Sequence, residues 1–260
     1  MKHALITGGT QNTGYVIAKQ FLKAGYAVHI TSRKADDAAA AADKLRREIP
    51  GASVFPYQLE LGKVADVQRL FSEIDKNADS LDVFVSNAAS LGVDVDVFTA
   101  DEEAFDAVMD VNVKGVFFAC REAAKRMKEK GGSMVLVSSV QSKSMVEGRC
   151  VYGMSKSAVN TMSRYMAFDL APYNIRVNCI IAGAIHTERW DALSEEVCAT
   201  RRANYPLGEE ATMAEIADAA LYFASDSSAH TTGTEIVIDS GLLLSALPYR
   251  DRKVLKHEGF

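Results

Sequence analysis

Apolar positions along the chain alternate between two periods. Short runs rich in β-branched residues occupy 3–7, 27–31, 53–59, 82–86, 134–138, 175–181 and 235–239, and each reads as a strand. Between them lie longer stretches with apolar residues three and four positions apart. Segment 15–24 carries Val16, Ile17, Phe21 and Leu22 on one stripe and stops at Gly25, a residue that ends helices because it tolerates left-handed backbone. Segments 34–48, 64–76, 101–130, 152–170 and 213–224 read as helices in the same way. Seven strands separated by helices predict a parallel sheet, and right-handed crossovers place helices on both of its faces. No linker, repeat or low-complexity tract divides the chain, so residues 1–260 are expected to form one doubly wound α/β domain. Ligands of such sheets bind beyond the carboxyl ends of the strands. The irregular stretch 184–208 is therefore an expected lid over a substrate, with 242–260 as a C-terminal tail.

Composition narrows the classes. With 48% hydrophobic and 24% charged residues, the chain can bury a sizeable core, which excludes a disordered or fibrous protein. The 29 basic against 34 acidic side chains leave a net charge of −5, so no nucleic-acid partner is expected. No apolar run approaches the roughly 18 residues needed to span a bilayer, and none is expected to engage a membrane. The start, Met1-Lys2-His3, leads straight into the first strand, so no export signal is expected. Cys120, Cys150, Cys179 and Cys198 lie far apart and the five histidines show no ligand spacing. Reduced thiols, a cytoplasmic location and no metal are the expectations.

Two constellations carry chemistry. The first strand runs through Thr7-Gly8-Gly9-Thr10-Gln11-Asn12-Thr13-Gly14 into a helix. Glycines there let backbone approach a pyrophosphate while the helix N-terminus faces its charge, although the same turn also suits an ordinary tight connection. The second is Ser139, Tyr152 and Lys156, with Tyr152 and Lys156 four positions apart on one helix face. A phenol titrates near about 10, and an adjacent ammonium favours the phenolate and lowers that value, which opens proton exchange with an alcohol or carbonyl.

Over nearly its whole length the chain resembles the short-chain dehydrogenases/reductases, in their single-domain branch with a Rossmann fold. The resemblance rests on Thr7-Gly8 through Gly14, Asn87-Ala88-Ala89, Asn112 within Val111-Asn112-Val113-Lys114-Gly115, and Ser139 after Val137-Ser138. It continues through Tyr152-Gly153-Met154-Ser155-Lys156, Arg176-Val177-Asn178, Ala182-Gly183 with Thr187, and Thr232-Gly233 with Asp239. It implies a catalytic tetrad. The Tyr152 match exchanges the proton with the substrate oxygen and the Ser139 match hydrogen-bonds that oxygen. The Lys156 match lowers the phenol's pKa and holds the nicotinamide ribose, and the Asn112 match anchors a water in the proton relay. It also implies a cofactor seat formed by Gly8, Thr10, Gln11, Asn12, Thr13, Gly14, Ser32, Arg33, Glu60, Leu61, Asn87, Ala88, Ala89, Gly183, Ile185 and Thr187, together with Tyr152 and Lys156. The implied activity is hydride transfer between a nicotinamide cofactor and a carbonyl or secondary alcohol.

Ser32 stands where NAD-dependent relatives carry Asp, and Arg33 follows it. A guanidinium can grip a 2′-phosphate, so NADP(H) is favoured over NAD(H). The chain departs from the family pattern at Asn12 for the middle glycine, Glu60 for an Asp, Ala89 for a glycine and Ala182 for a proline, none of which removes a chemical group of the tetrad. On the substrate side Gln141, Met145, Trp190 and Tyr205 are candidate contacts, with Val146 and His186 beside them. The stretch holding Trp190, Leu193, Val197 and Tyr205 could line an apolar pocket or form the buried face of a short helix. A steroid-like ketone, a sugar or polyol and a 3-oxoacyl thioester all fit the fold. By the same resemblance the helices within 101–130 and 152–170 assemble family members, so a homotetramer or homodimer is expected. The rival reading is a non-catalytic NADP(H)-binding sensor or scaffold with this fold.

Overall fold

In the computed structural model, which describes residues 1–244, the chain alternates strands with helices as the periodicity predicts. The elements run β1 (His3–Ile6), α1 (Asn12–Lys23), β2 (Ala27–Ser32), α2 (Ala35–Glu48), β3 (Val54–Gln58), α3 (Val64–Ile74), β4 (Val83–Ser86) and α4 (Glu102–Met109). They continue α5 (Val116–Met127), β5 (Gly132–Ser139), α6 (Cys150–Leu170), β6 (Ile175–Ala182), α7 (Glu188–Asp191), α8 (Glu195–Arg202), α9 (Met213–Ala224) and β7 (Glu235–Ile238). All seven strands are parallel, in the order β3-β2-β1-β4-β5-β6-β7. The order reverses between β1 and β4, and at such a switch point the helices diverge to opposite faces and leave a crevice at the carboxyl edge.

Because helices cover both faces, the central strands are apolar on both sides rather than alternating. One face packs Ile6, Phe21, Ile30 and Val85 against α1, α2 and α9. The other packs Leu5, Phe71, Phe84 and Leu136 against α3, α5 and α6. Burying a phenylalanine such as Phe84, fully enclosed here, contributes about 1.5–3 kcal/mol relative to leaving it in water.

Most boundaries shift by a residue or two from the sequence expectation, and three departures have a clear local reason. Strand β1 ends at Ile6 because Thr7 turns its hydroxyl to the loop after β4, where it accepts from the Asn87 and Ala88 amides at 3.0 and 3.1 Å. The expected helix over 101–130 is interrupted by a π-helical turn, Asp110–Gly115, which rotates Asn112 inward. The stretch 184–208 holds the short helices α7 and α8 rather than irregular chain. Leu242 and Leu243 pack beside Val140, Cys179 and Ile181, while the rest of the expected tail, 245–260, lies outside the described residues. No helix among the described residues is long and apolar enough to cross a membrane.

Candidate active site

The carboxyl edge of the sheet gathers loops from β1, β2, β4, β5 and β6. At the switch point the turn after β1 is cross-linked to the end of β4. The Asn87 carboxamide donates to the Thr7 carbonyl at 3.1 Å, and the Gly8 amide donates to Thr31 Oγ1 at 3.2 Å. A β-carbon at Gly14 would fall on the carbonyl oxygen of Gly8, so helix and turn approach to backbone contact. Asn12 takes the left-handed conformation, φ 46°, that the missing glycine would have supplied. Helix α1 begins without a side-chain cap and without an acidic residue in its first turn, which leaves its leading N–H groups free to receive an anion. These features fit the diphosphate of a dinucleotide. At the ends of β2 and β3, Ser32 is half-buried, Arg33 is exposed with no ion pair among the described residues, and Glu60 precedes the buried Leu61.

Next to this cradle, Thr13, Asn87, Ala89, Ser139, Tyr152, Lys156, Gly183 and Ile185 line one cavity of about 180 Å³. Ser139 closes β5, and its hydroxyl accepts from the Gln141 amide at 3.2 Å and shares a hydrogen bond with Tyr152. Burial pushes the Tyr152 phenol above its ordinary range, against the opposing pull of that bond and of the Arg149 charge. Lys156 is buried, donates to the Val137 carbonyl at 2.9 Å and lies 5.7 Å from the Tyr152 ring centre. Burial pulls its ammonium down to about 8. The ammonium expected to favour the Tyr152 phenolate is thus held beside the ring by a carbonyl of β5. Asn112 is buried behind the cavity. Its carboxamide accepts from the Ser90 amide at 2.7 Å and donates to the Ser90 carbonyl at 2.8 Å and to Ser155 Oγ at 3.0 Å. Ser155 in turn donates to the Tyr152 carbonyl at 2.7 Å. Asn112 thus links the loop after β4 to the helix that carries Tyr152.

The Enoyl-(Acyl carrier protein) reductase family model matches residues 9–243. The 3alpha-hydroxysteroid dehydrogenase of Mediterraneibacter gnavus is 32% identical over 239 residues, 92% of this chain and 95% of that protein. The NADP-dependent (R)-specific alcohol dehydrogenase of Lentilactobacillus kefiri is 34% identical over 250 residues, 92% of this chain and 96% of its own. A solved short-chain type dehydrogenase/reductase from Mycobacterium marinum superposes with a TM-score of 0.85 at 30% identity, covering 93% and 95% of the two chains. The chain belongs to the short-chain dehydrogenase/reductase family. It is an oxidoreductase of alcohol and carbonyl groups that works with a nicotinamide cofactor.

The residues expected to contact substrate lie on loops and short helical turns of this dehydrogenase/reductase. Gln141 sits in the 3-10 turn Val140–Ser142 with its Oε1 buried and without a hydrogen-bond partner, whereas Met145 on the following loop is fully exposed. Trp190 and Tyr205 are buried within 184–208, while Val197 on α8 is exposed, so α8 does not bury the expected Leu193 and Val197 face. Trp190 stacks on His186 and lies beneath the guanidinium groups of Arg201 and Arg202. Arg202 and His186 meet at Glu210, a residue that sequence reasoning did not single out. Its carboxylate, 3% exposed, accepts from Arg202 Nε and Nη2 at 2.7 and 2.6 Å and pairs with His186 Nδ1 at 2.7 Å. His186 Nε2 pairs with Asp191 at 2.9 Å. No local spacing relates 186, 191, 202 and 210, so no motif announces this cluster.

Proposed function

We propose that this enzyme is an NADP(H)-dependent reductase of bulky apolar ketones, and of the corresponding secondary alcohols in reverse, with Tyr152 as the proton-exchanging group. The observation that carries the reading is the single cavity in which Tyr152, Ser139 and Lys156 stand beside Asn87, Ala89, Gly183 and Ile185. Gly8, Thr10, Gln11, Asn12, Thr13 and Gly14 would hold the diphosphate, Ser32 and Arg33 the 2′-phosphate, Glu60 and Leu61 the adenine side. Asn87, Ala88, Ala89, Gly183, Ile185 and Thr187 would hold the nicotinamide half. The nicotinamide cofactor, when bound, supplies or accepts the hydride.

The protein's own part is proton management. In reduction the Tyr152 hydroxyl donates its proton to the substrate oxygen, and the Ser139 hydroxyl donates a hydrogen bond to the same oxygen as negative charge develops. A phenol raised by burial is protonated at neutral pH, which suits the reductive direction. Lys156 holds the ribose, and Asn112 keeps Tyr152 in register through Ser155. Residues 184–208 act as a lid that excludes water. NADP(H) is supported by Arg33, exposed and without an ion pair among the described residues, and by the absence of a carboxylate at the end of β2. An apolar ketone is supported by exposed Val93, Val97, Phe98, Met145 and Val146 on the two loops beside the mouth, an apolar surface of the kind that marks binding sites. The steroid-directed relative from M. gnavus points the same way.

The test is NADPH and NADH oxidation across steroid ketones, keto-sugars, small diketones and a 3-oxoacyl thioester. Turnover of the steroid ketones with NADPH preferred is the expected result, and preference for any other substrate class overturns the substrate assignment. Tyr152→Phe is expected to abolish turnover while NADPH still binds; wild-type turnover by that variant refutes the role of Tyr152.

A further inference from the structure

Tyr152, Lys156 and Asn160 follow one another at four-residue intervals on α6 and so share one stripe of that helix. The first two line the cavity. Asn160 is buried, 5% exposed, and is tied instead to the strand end that carries Ser139. Its Nδ2 donates to Ser142 Oγ at 2.8 Å, and Ser142 Oγ donates to the Ser139 carbonyl at 2.6 Å. A carbonyl can only accept, so the Ser142 hydroxyl directs its proton there and must receive one from its other neighbour. That requirement sets the Asn160 carboxamide with its nitrogen toward Ser142, and its Oδ1 accepts from Cys179 Sγ of β6 at 3.7 Å. Helix α6 grips the same turn a second time, where the Ser142 carbonyl accepts from Ser157 Oγ at 2.9 Å. Within the turn Val140–Ser142, the Gln141 amide donates to Ser139 Oγ at 3.2 Å.

We infer that Asn160 is a positioning residue for Ser139: through Ser142 it holds the turn after β5 against α6 and so keeps the Gln141 amide on the Ser139 hydroxyl. The inference rests on the reading of Ser139 as the group that hydrogen-bonds the substrate oxygen. With one lone pair occupied by the Gln141 amide, the hydroxyl has fewer orientations, and its proton is available to the cavity that Ser139 lines. Without the Asn160 bond, the Ser142 hydroxyl is free to turn away from the Ser139 carbonyl and the turn loosens where it joins β5, while the Ser157 bond still fastens its far end. One helix thereby sets both groups that meet the substrate oxygen. It presents Tyr152 directly and, about two turns on, steadies Ser139 at one remove.

Amide hydrogen exchange at Gln141 tests this without a substrate. In Asn160→Leu, which removes the donor, and in Ser142→Ala, which removes the link, the Gln141 amide is expected to exchange about three- to tenfold faster, the factor that one neutral hydrogen bond supplies. The buried Lys156 and Val159 of α6 are expected to keep their amide rates in both variants. The double variant is expected to exchange no faster than the faster single one, because the two side chains act in series. Ser142→Thr, which keeps the hydroxyl, is expected to restore most of the protection. Ser142 is only half-buried on its turn, so Ser142→Ala carries the test should the core substitution fail to fold. In steroid-ketone reduction with NADPH, kcat is expected to fall by the same factor in Asn160→Leu with KM unchanged, and to fall no further when Asn160→Leu is added to Ser139→Ala. An unmoved Gln141 amide overturns the inference. So does equal acceleration along α6, or an additional loss of kcat in the Ser139→Ala background, since either makes Asn160 a support of the helix rather than of Ser139. Failure of the underlying reading is separable: wild-type kcat in Ser139→Ala dismisses Ser139 as a partner of the substrate oxygen whatever the exchange rates show.

Discussion

Replacing Glu210 by Gln removes one negative charge from a carboxylate that three hydrogen bonds enclose, and it tests whether that cluster pins 184–208 to the body of the enzyme. Each hydrogen bond to a charged group is worth about 1.5–3 kcal/mol in net terms. Their sum is not realised here. The Arg202 and His186 side chains are 41% and 44% exposed and recover water when released, and Gln keeps one acceptor oxygen and nearly the same volume. About 2 kcal/mol remains, close to a thirtyfold rise in the open population of the segment. Amide hydrogen exchange reads this directly. The Trp190, Leu193 and Ala211 amides, bonded to Thr187, Trp190 and Ala184, are expected to exchange about thirtyfold faster in Glu210→Gln, while Val135 and Val85 in the central strands keep their rates. Equal acceleration of segment and strands, or none in either, refutes the reasoning. The pH dependence has a definite sign. His186 is raised by its bonds to Glu210 and Asp191, so its contribution is complete below 6.5 and is lost as pH rises through the raised value. Glu210 is held down to about 2, chiefly by Arg202, so its contribution is present above 4.5 and is lost as pH falls toward 2. Protection of the segment in the wild-type enzyme is therefore expected to be greatest between these two ordinary values.

Two further substitutions test other parts of the site. A β-carbon in Gly115→Ala would fall on the Leu61 carbonyl oxygen, where backbone cannot give way cheaply. The expected result is a loss of about 2 kcal/mol in urea unfolding and a drop in kcat from a displaced Asn112, and wild-type stability would dismiss the contact. Arg33→Ala is expected to weaken NADPH at least about tenfold in calorimetry and leave NADH nearly unchanged, since only the 2′-phosphate uses the guanidinium. Equal weakening of both sinks the cofactor assignment.

The architecture was legible because seven apolar strands and their amphipathic helices repeat a period that one sequence displays. Thr7 through Gly14, Ser139, Tyr152 and Lys156 were legible because their spacing is local and their chemistry narrow. The turn at Asp110–Gly115 was not, since apolar spacing continues through it and only the inward pull of Ser90 and Ser155 on Asn112 distinguishes it. His186, expected beside the candidate substrate contacts, is joined to Glu210 across 24 positions, and no local pattern encodes such a pair. The partner of the Lys156 ammonium was hidden for a related reason. Helical spacing places Lys156 beside Tyr152, but the Val137 carbonyl that holds the ammonium comes from another element.

The two sides of the cavity differ in how much sequence change they can absorb. On the dinucleotide side, Gly14 touches backbone and Thr7 bridges two loops, so almost any substitution there meets an immovable neighbour. On the opposite side, Val97, Phe98 and Met145 project into water, where replacements change stability by only about half a kcal/mol. A mutational library confined to the 91–98 and 143–146 loops should therefore yield mostly folded enzymes with altered substrate preference. The scaffold is a tightly constrained engine with an exchangeable front, and its tolerance for change lies in those loops.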